Sequence, residues 1–185
     1  MVPLVPYLNY FNMRCRKWQR VDVALALPFS NYKTIPTELL SGKIVVDINN
    51  YYPERDGQII ELDEGRITTS EMIAQHLPGS RVVKAFNSIM ANDLQNDGRP
   101  PGTPGRRALP MAGDDPAAKA IVAKLVDEAG FDPVDVGPLS EGWRFERARP
   151  VYCVPFDKVG LTSALAQSSR DNFEAEYSWR AQKKS

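Results

Sequence analysis

The sequence predicts an α/β fold built on a parallel sheet covered on both faces. Short runs, apolar almost throughout, recur at Val21–Leu27, Ile44–Ile48, Arg81–Phe86, Ala108–Met111 and Phe131–Val136. Segments with the apolar spacing of helices stand between several of them. A strand with helices on both sides leaves no face to water, so it reads apolar nearly throughout, and alternation with helices favours parallel pairing.

Each element carries its own signal. Val21–Leu27 stops at Pro28, a residue that fixes φ and lacks an N–H. Ser30 or Asn31 can cap a short helix reaching Leu39 and Leu40, with Pro36 as an interruption and Gly42 as its stop. Ile44–Ile48 ends at Asn49-Asn50. Thr68 and Glu71 have the spacing of a capping box, and Met72, Ile73, His76 and Leu77 follow at helical intervals to Pro78-Gly79. Arg81–Phe86 precedes a helix expected over Ile89–Leu94, and residues 96–107 (NDGRPPGTPGRR) form a proline- and glycine-rich loop. After Ala108–Met111, Asp114 and Asp115 offer caps and Pro116 a first-turn proline. Ala118, Ile121, Val122, Leu125 and Val126 give that helix an apolar face, and Gly130 gives it a stop. Phe131–Val136 is the last strand. The organisation read from this is a segment at 1–20, a domain at 21–166 and a polar, loosely held tail at 167–185.

Composition narrows the function. The chain has 185 residues, enough for one domain with a proper core. Its 23 basic and 23 acidic side chains argue against a nucleic-acid partner. No apolar run approaches the ~18 residues of a membrane span, so no membrane partner is expected. Cys15 and Cys153 make no disulfide framework, which points to a reducing cytoplasm. With His76 as the sole histidine, no C-x-x-C pair and no G-x-S-x-G elbow, neither a metal site nor a catalytic residue is assigned. That leaves binding modules, or enzymes whose reactive atoms belong to a small-molecule cofactor.

Ligands of open α/β sheets bind outside the carboxyl ends of the strands. The rule selects Leu27-Pro28-Phe29, Asn49-Asn50, Asn87-Ser88-Ile89-Met90, Gly113-Asp114-Asp115 and Gly137-Pro138-Leu139. Pro28 either ends its strand or stiffens a loop against which a flat ring lies. Asn87 and Ser88 offer amide and hydroxyl groups to a carboxamide or ring carbonyl, and Ile89 and Met90 an apolar floor that excludes water. Asn49 and Asn50 serve the ligand or their own turn. Asp114 and Asp115 read as helix caps, His76 as structural, Cys153 as unreactive, and Arg99, Arg106 and Arg107 as a solvated loop rather than a phosphate clamp.

Three stretches are more particular: Gly42-Lys43-Ile44-Val45-Val46-Asp47 with Asn49-Asn50, Val82-Val83-Lys84-Ala85-Phe86-Asn87-Ser88-Ile89, and Ala108–Leu139. With the strand Val21–Phe29 they resemble the NADPH-dependent reductases of coenzyme F-420, whose domain recurs as the oxidoreductase part of the STEAP metalloreductases. The resemblance runs from about Val21 to Leu165. It implies a Rossmann-like, doubly wound, mostly parallel sheet and hydride exchange between NADP and a deazaflavin (coenzyme F-420) or flavin. It also implies that Leu27, Pro28 and Phe29 lie along the nucleotide, with Asn49 among the cofactor-binding residues. Asn87, Ser88, Ile89 and Met90 would lie where nicotinamide meets the second ring, with Pro138 and Leu139 walling that ring.

Family members open with a strand, a G-x-G-x-x-G turn, a helix and a second strand, and Met1–Arg20 resembles none of these. The first βαβ unit is therefore expected to be missing and NADP binding to be impaired, since that turn holds the pyrophosphate. The strand Val21–Leu27 would then present an open edge, covered by Leu4-Val5 and Tyr7–Phe11 or used to pair two copies as a homodimer. The alternative reading is a non-catalytic, Rossmann-like binding or interaction protein.

Overall fold

Val23–Leu25 (β1), Ile44–Asp47 (β2) and Arg81–Ala85 (β3) lie side by side in chain order and pair in parallel, with Val23 beside Val45 and Val45 beside Val82. The structure, a computed structural model, describes residues 22–174. Ala108–Gly113 (β4) pairs with β3 in the antiparallel sense, Val83 opposite Gly113, and Asp132–Gly137 (β5) pairs with β4 in parallel. The sheet is thus α/β and mostly parallel, with one reversal between β3 and β4. That reversal is invisible in the sequence, because a strand buried on both faces reads apolar in either direction.

The connections cover both faces. A 3-10 turn over Phe29–Thr34 and the short helix α1 (Thr37–Leu40) follow β1, and α2 (Pro53–Asp56), α3 (Ile60–Asp63) and α4 (Thr69–His76) follow β2. Next come α5 (Ala91–Asn96), α6 (Pro116–Glu128) between β4 and β5, a 3-10 segment over Leu139–Phe145, and α7 (Lys158–Ala166). The single helix expected from Ser30 to Leu40 is split at Pro36, which cannot donate within a helix. The helices α2, α3 and α7 had no strong periodic signal.

Neighbouring residues of each strand face opposite ways, as strand geometry requires. Ile44, Val46, Val83, Ala85, Leu109 and Met111 pack on Ala118, Val122 and Val126 of α6. Leu25, Val45 and Val82 pack on Phe29, Tyr32, Ile73 and Leu77. Ala108, Ala112 and Val134 pack on Phe145, Val151, Leu161 and Leu165. Each fully buried valine contributes about 1.5–3 kcal/mol by leaving water.

The caps expected at Thr68 and Asp115 form, whereas Ser30, Asn31 and Asp114 cap no helix. Thr68 accepts from Glu71 N–H while Glu71 accepts from Thr68 N–H, and Asp115 Oδ1 accepts from Ala118 N–H at 2.8 Å. Gly130, at φ +100°, leaves the left-handed turn free of a side chain and lies against Gly98, whose Cα would sit 2.6 Å from an added Cβ. The polar segment after α7 is held closely as far as Glu174: Arg149 donates to the carbonyls of Ser169, Arg170 and Asn172, and Glu174 N–H donates to Ala148 O. The 1–20 segment, the edge cover expected from Leu4-Val5 and Tyr7–Phe11, and the last residues of the tail lie outside the described residues. Among those described, nothing pairs with the outer edge of β1, and no helix is long and apolar enough to cross a membrane.

Candidate functional site

The turns leaving β1, β2 and β3 are stitched together. Leu27 N–H donates to Asn49 Oδ1 at 2.8 Å, and Asn50 Nδ2 donates to Asn87 O at 2.9 Å. Asn87 Nδ2 returns to Asn50 Oδ1 at 3.3 Å and also donates to Phe145 O at 2.9 Å. The structure therefore brings Leu27, Pro28, Asn49, Asn87 and Ser88 to one end of the sheet. Met90 packs there against Tyr152 and Cys153. Burial pushes the Tyr152 phenol far up from its ordinary value. Phe29 is fully buried, stacked on Tyr32 at 4.9 Å, and Ile89 is buried against the α6 side, so both support the turn from within the core.

Beneath these turns lies a polar network that periodicity did not single out. Lys84, wholly buried in β3, donates to Thr69 Oγ1 at 2.9 Å and Asn49 O at 3.2 Å, and stands 3.5 Å from Asp47 Oδ2. Ser70 donates to Asp47 Oδ2 at 2.5 Å, and Glu146 Oε1 accepts from both the N–H and the hydroxyl of Thr69. The available signal was a lysine and an aspartate inside otherwise apolar strands, since charged groups are buried only when paired.

Three polar atoms at this end are buried without a hydrogen-bond partner: Asn49 Nδ2, Asn87 Oδ1 and Ser88 Oγ. An unsatisfied buried group costs about 1–3 kcal/mol, and such groups collect at functional sites. Phe86, directly before Asn87, adopts φ +61°, an outlier for a bulky residue held by its surroundings. One donor, one acceptor and one hydroxyl match the hydrogen-bonding groups of a carboxamide. They thus fit the nicotinamide end of NADP. No glycine-rich turn between a strand and a helix occurs among the described residues, so the fit covers that end alone.

The reversal between β3 and β4 corrects the rule by which the last two turns were grouped with the first three, since the five carboxyl ends do not all point the same way. β4 and β5 point their carboxyl ends opposite to those of β1–β3, with Gly113 level with Val83, and Gly137 level with Ala112, itself opposite Lys84. There Asp114 Oδ1 accepts from Leu139 N–H at 2.9 Å, Leu139 is buried with its carbonyl accepting from Thr68 Oγ1, and Pro138 is exposed. Through Thr68 and its neighbour Thr69, Leu139 connects to the Lys84 network. Arg106 and Arg107 are also corrected: both are buried rather than solvated. Arg106 lies between Asp127 and Asp132, each at 2.7 Å, and Arg107 between Asp93 and Asp97. His76 Nε2 lies 2.9 Å from Ile35 O with its ring edge-on to Tyr32, a structural role.

Comparison with known proteins gives the fold its relatives. No family model matches the chain. Metalloreductase STEAP3 of Rattus norvegicus is 35% identical over 126 residues, covering 68% of this chain and 24% of that protein. The crystal structure of protein SMa0349 from Sinorhizobium meliloti superposes with a TM-score of 0.61 at 33% identity, covering 74% of this chain and 67% of that one. A proposed F420-dependent NADP-reductase from Arthrobacter sp. FB24 superposes with a TM-score of 0.52 at 28% identity, covering 64% of this chain and 56% of that one. The chain belongs to the F-420-dependent NADP oxidoreductase family. It spans less than half the length of the curated relatives it matches. The fold is the Rossmann-like one of this oxidoreductase family, and its carboxyl-end turns coincide with the segments on which the resemblance rests.

Proposed function

We propose that this chain serves an NADP-dependent oxidoreductase by holding nicotinamide at the carboxyl ends of β1–β3, against a deazaflavin (coenzyme F-420) or flavin. When bound, the reduced nicotinamide supplies a hydride to the second ring. The observation that carries the reading is the set of unpaired atoms Asn49 Nδ2, Asn87 Oδ1 and Ser88 Oγ, buried where this fold places its ligands. Asn49 donates and Asn87 accepts at a carboxamide, and the Ser88 hydroxyl turns to suit either partner. Pro28 holds the β1 turn rigid, and Met90 adds apolar surface that excludes water. Hydride transfer asks mainly for alignment of two carbons and no side-chain acid or base, which suits a site without a catalytic dyad.

The test is oxidation of NADPH by this chain with oxidised coenzyme F-420, and separately with flavin, as acceptor. Acceptor-dependent loss of nicotinamide absorbance, slowed about tenfold in Ser88→Ala, supports the reading. No oxidation with either acceptor and no binding of NADPH reject it.

A further inference from the structure

Asn49 is tied at three of its four polar groups. Its N–H donates to Asp47 Oδ1 at 2.9 Å, its carbonyl accepts from Lys84 Nζ at 3.2 Å, and its Oδ1 accepts from Leu27 N–H at 2.8 Å. Only Nδ2 is left unpaired. Turning the amide over would set Nδ2 against the Leu27 N–H, donor to donor, so the side chain has a single satisfied orientation.

The two groups that clamp the Asn49 backbone are themselves a pair. Lys84 and Asp47 are register partners in adjacent strands, both side chains wholly buried. Lys84 spends its remaining hydrogen bond on Thr69 Oγ1, and Asp47 takes a further one from Ser70. Gly142 leaves room for the lysine stem: an added Cβ there would lie 3.2 Å from Lys84 Cδ. A buried ion pair is a poor source of stability, since desolvation offsets the Coulombic gain, and two aliphatic side chains would serve the sheet as well. Its place at the end of two core strands sets it directly against the Asn49 turn.

We infer that Lys84 is a positioning residue, which with Asp47 fixes the Asn49 turn so that Asn49 Nδ2 is presented to the ligand. The ligand half of this inference rests on the function proposed above; the orienting half does not. Asn49 Nδ2 then acts as a preorganised donor, its direction set before any ligand arrives.

The test compares the full-length protein with Asp47→Asn/Lys84→Met, which removes both charges together and leaves neither stranded. The first readout is the pair of side-chain amide proton resonances of Asn49, identified by their loss in Asn49→Asp. In the parent these are expected to lie away from the positions of a free carboxamide and to be slow to exchange with solvent, and in the folded double variant to move toward those free positions and exchange faster. The second is NADPH affinity, expected to weaken about tenfold in the double variant. Should that variant fail to fold, Ser70→Ala, which loosens Asp47 alone, is expected to shift the same resonances in the same direction by less. Unchanged Asn49 resonances in the folded double variant, or in Ser70→Ala, overturn the inference. Unchanged NADPH affinity with altered resonances overturns its ligand half. A parent that binds no NADPH refutes the proposed function while the resonances still decide the orienting role.

Discussion

Lys84 and Asp47 face each other across the β2–β3 register, Nζ 3.5 Å from Oδ2, with no side-chain surface exposed on either. Removing Lys84 strands Asp47 in the core, whereas Lys84 has a second carboxylate, Glu146, at 3.9 Å. Lys84→Met alone is expected to lose about 3–5 kcal/mol of unfolding free energy, and Asp47→Asn/Lys84→Met distinctly less. Urea titration measures both, and equal losses would contradict the pairing.

Arg106 spans the base of the loop it closes. Its Nη1 reaches Asp127 and Asp132 at 2.7 Å each, and its Nε reaches the carbonyls of Arg99 and Gly130. Burial lowers its pKa, but hydrogen bonds to the two carboxylates outweigh this and raise it. Arg106→Lys keeps the charge and loses the fork, so a loss of about 2 kcal/mol is expected by thermal or urea unfolding.

Asp56 links two of the turns, accepting from Tyr52 N–H at 2.9 Å, Ser30 N–H at 3.3 Å and the Arg55 guanidinium. Burial raises its pKa, but the bonds from Arg55, Tyr52 and Ser30 together bring it below the ordinary carboxylate value. A depressed folded value stabilises the protein above the unfolded pKa, about 4, and that contribution is lost as pH falls through the folded value. Asp56→Asn is therefore expected to lower the melting temperature at neutral pH, with the gap to the parent closing as pH drops below about 4. A gap that persists unchanged to acid pH would show that the charge contributes nothing.

Gly130→Ala tests the turn that seats β5. The left-handed φ and the close approach of Gly98 act together, and a loss of at least about 2 kcal/mol is expected, more than the cost of the φ alone. A near-neutral substitution would mean that the turn yields easily.

Much of this molecule was legible in its residues. The five strands, the Thr68–Glu71 capping box, the Asp115–Pro116 helix start and the Gly130 stop all follow from short-range chemistry, which the sequence displays directly. The direction of β4 does not: Ala108–Gly113 is buried along its whole length, and its reversal is decided by the packing of neighbouring elements. That one unseen reversal is why the carboxyl ends of β4 and β5 point opposite to those of β1–β3. Arg106 and Arg107 sit in a segment whose prolines and glycines look solvated, while their partners Asp127, Asp132, Asp93 and Asp97 come from outside the loop or its very start. Lys84 belonged to a recognised stretch, yet its tie to Asn49 emerges only when β2 and β3 are set in register.

The central claim is that nicotinamide meets the carboxyl ends of β1–β3. Titration of the isotope-labelled protein with NADPH, followed by nuclear magnetic resonance, tests it most directly. The expected result is saturable shifts of the Asn49 and Asn87 side-chain amides and of the backbone amides of Ser88 and Met90. Shifts confined to the loop bearing Arg99, Arg106 and Arg107, or no shifts at all, would contradict it.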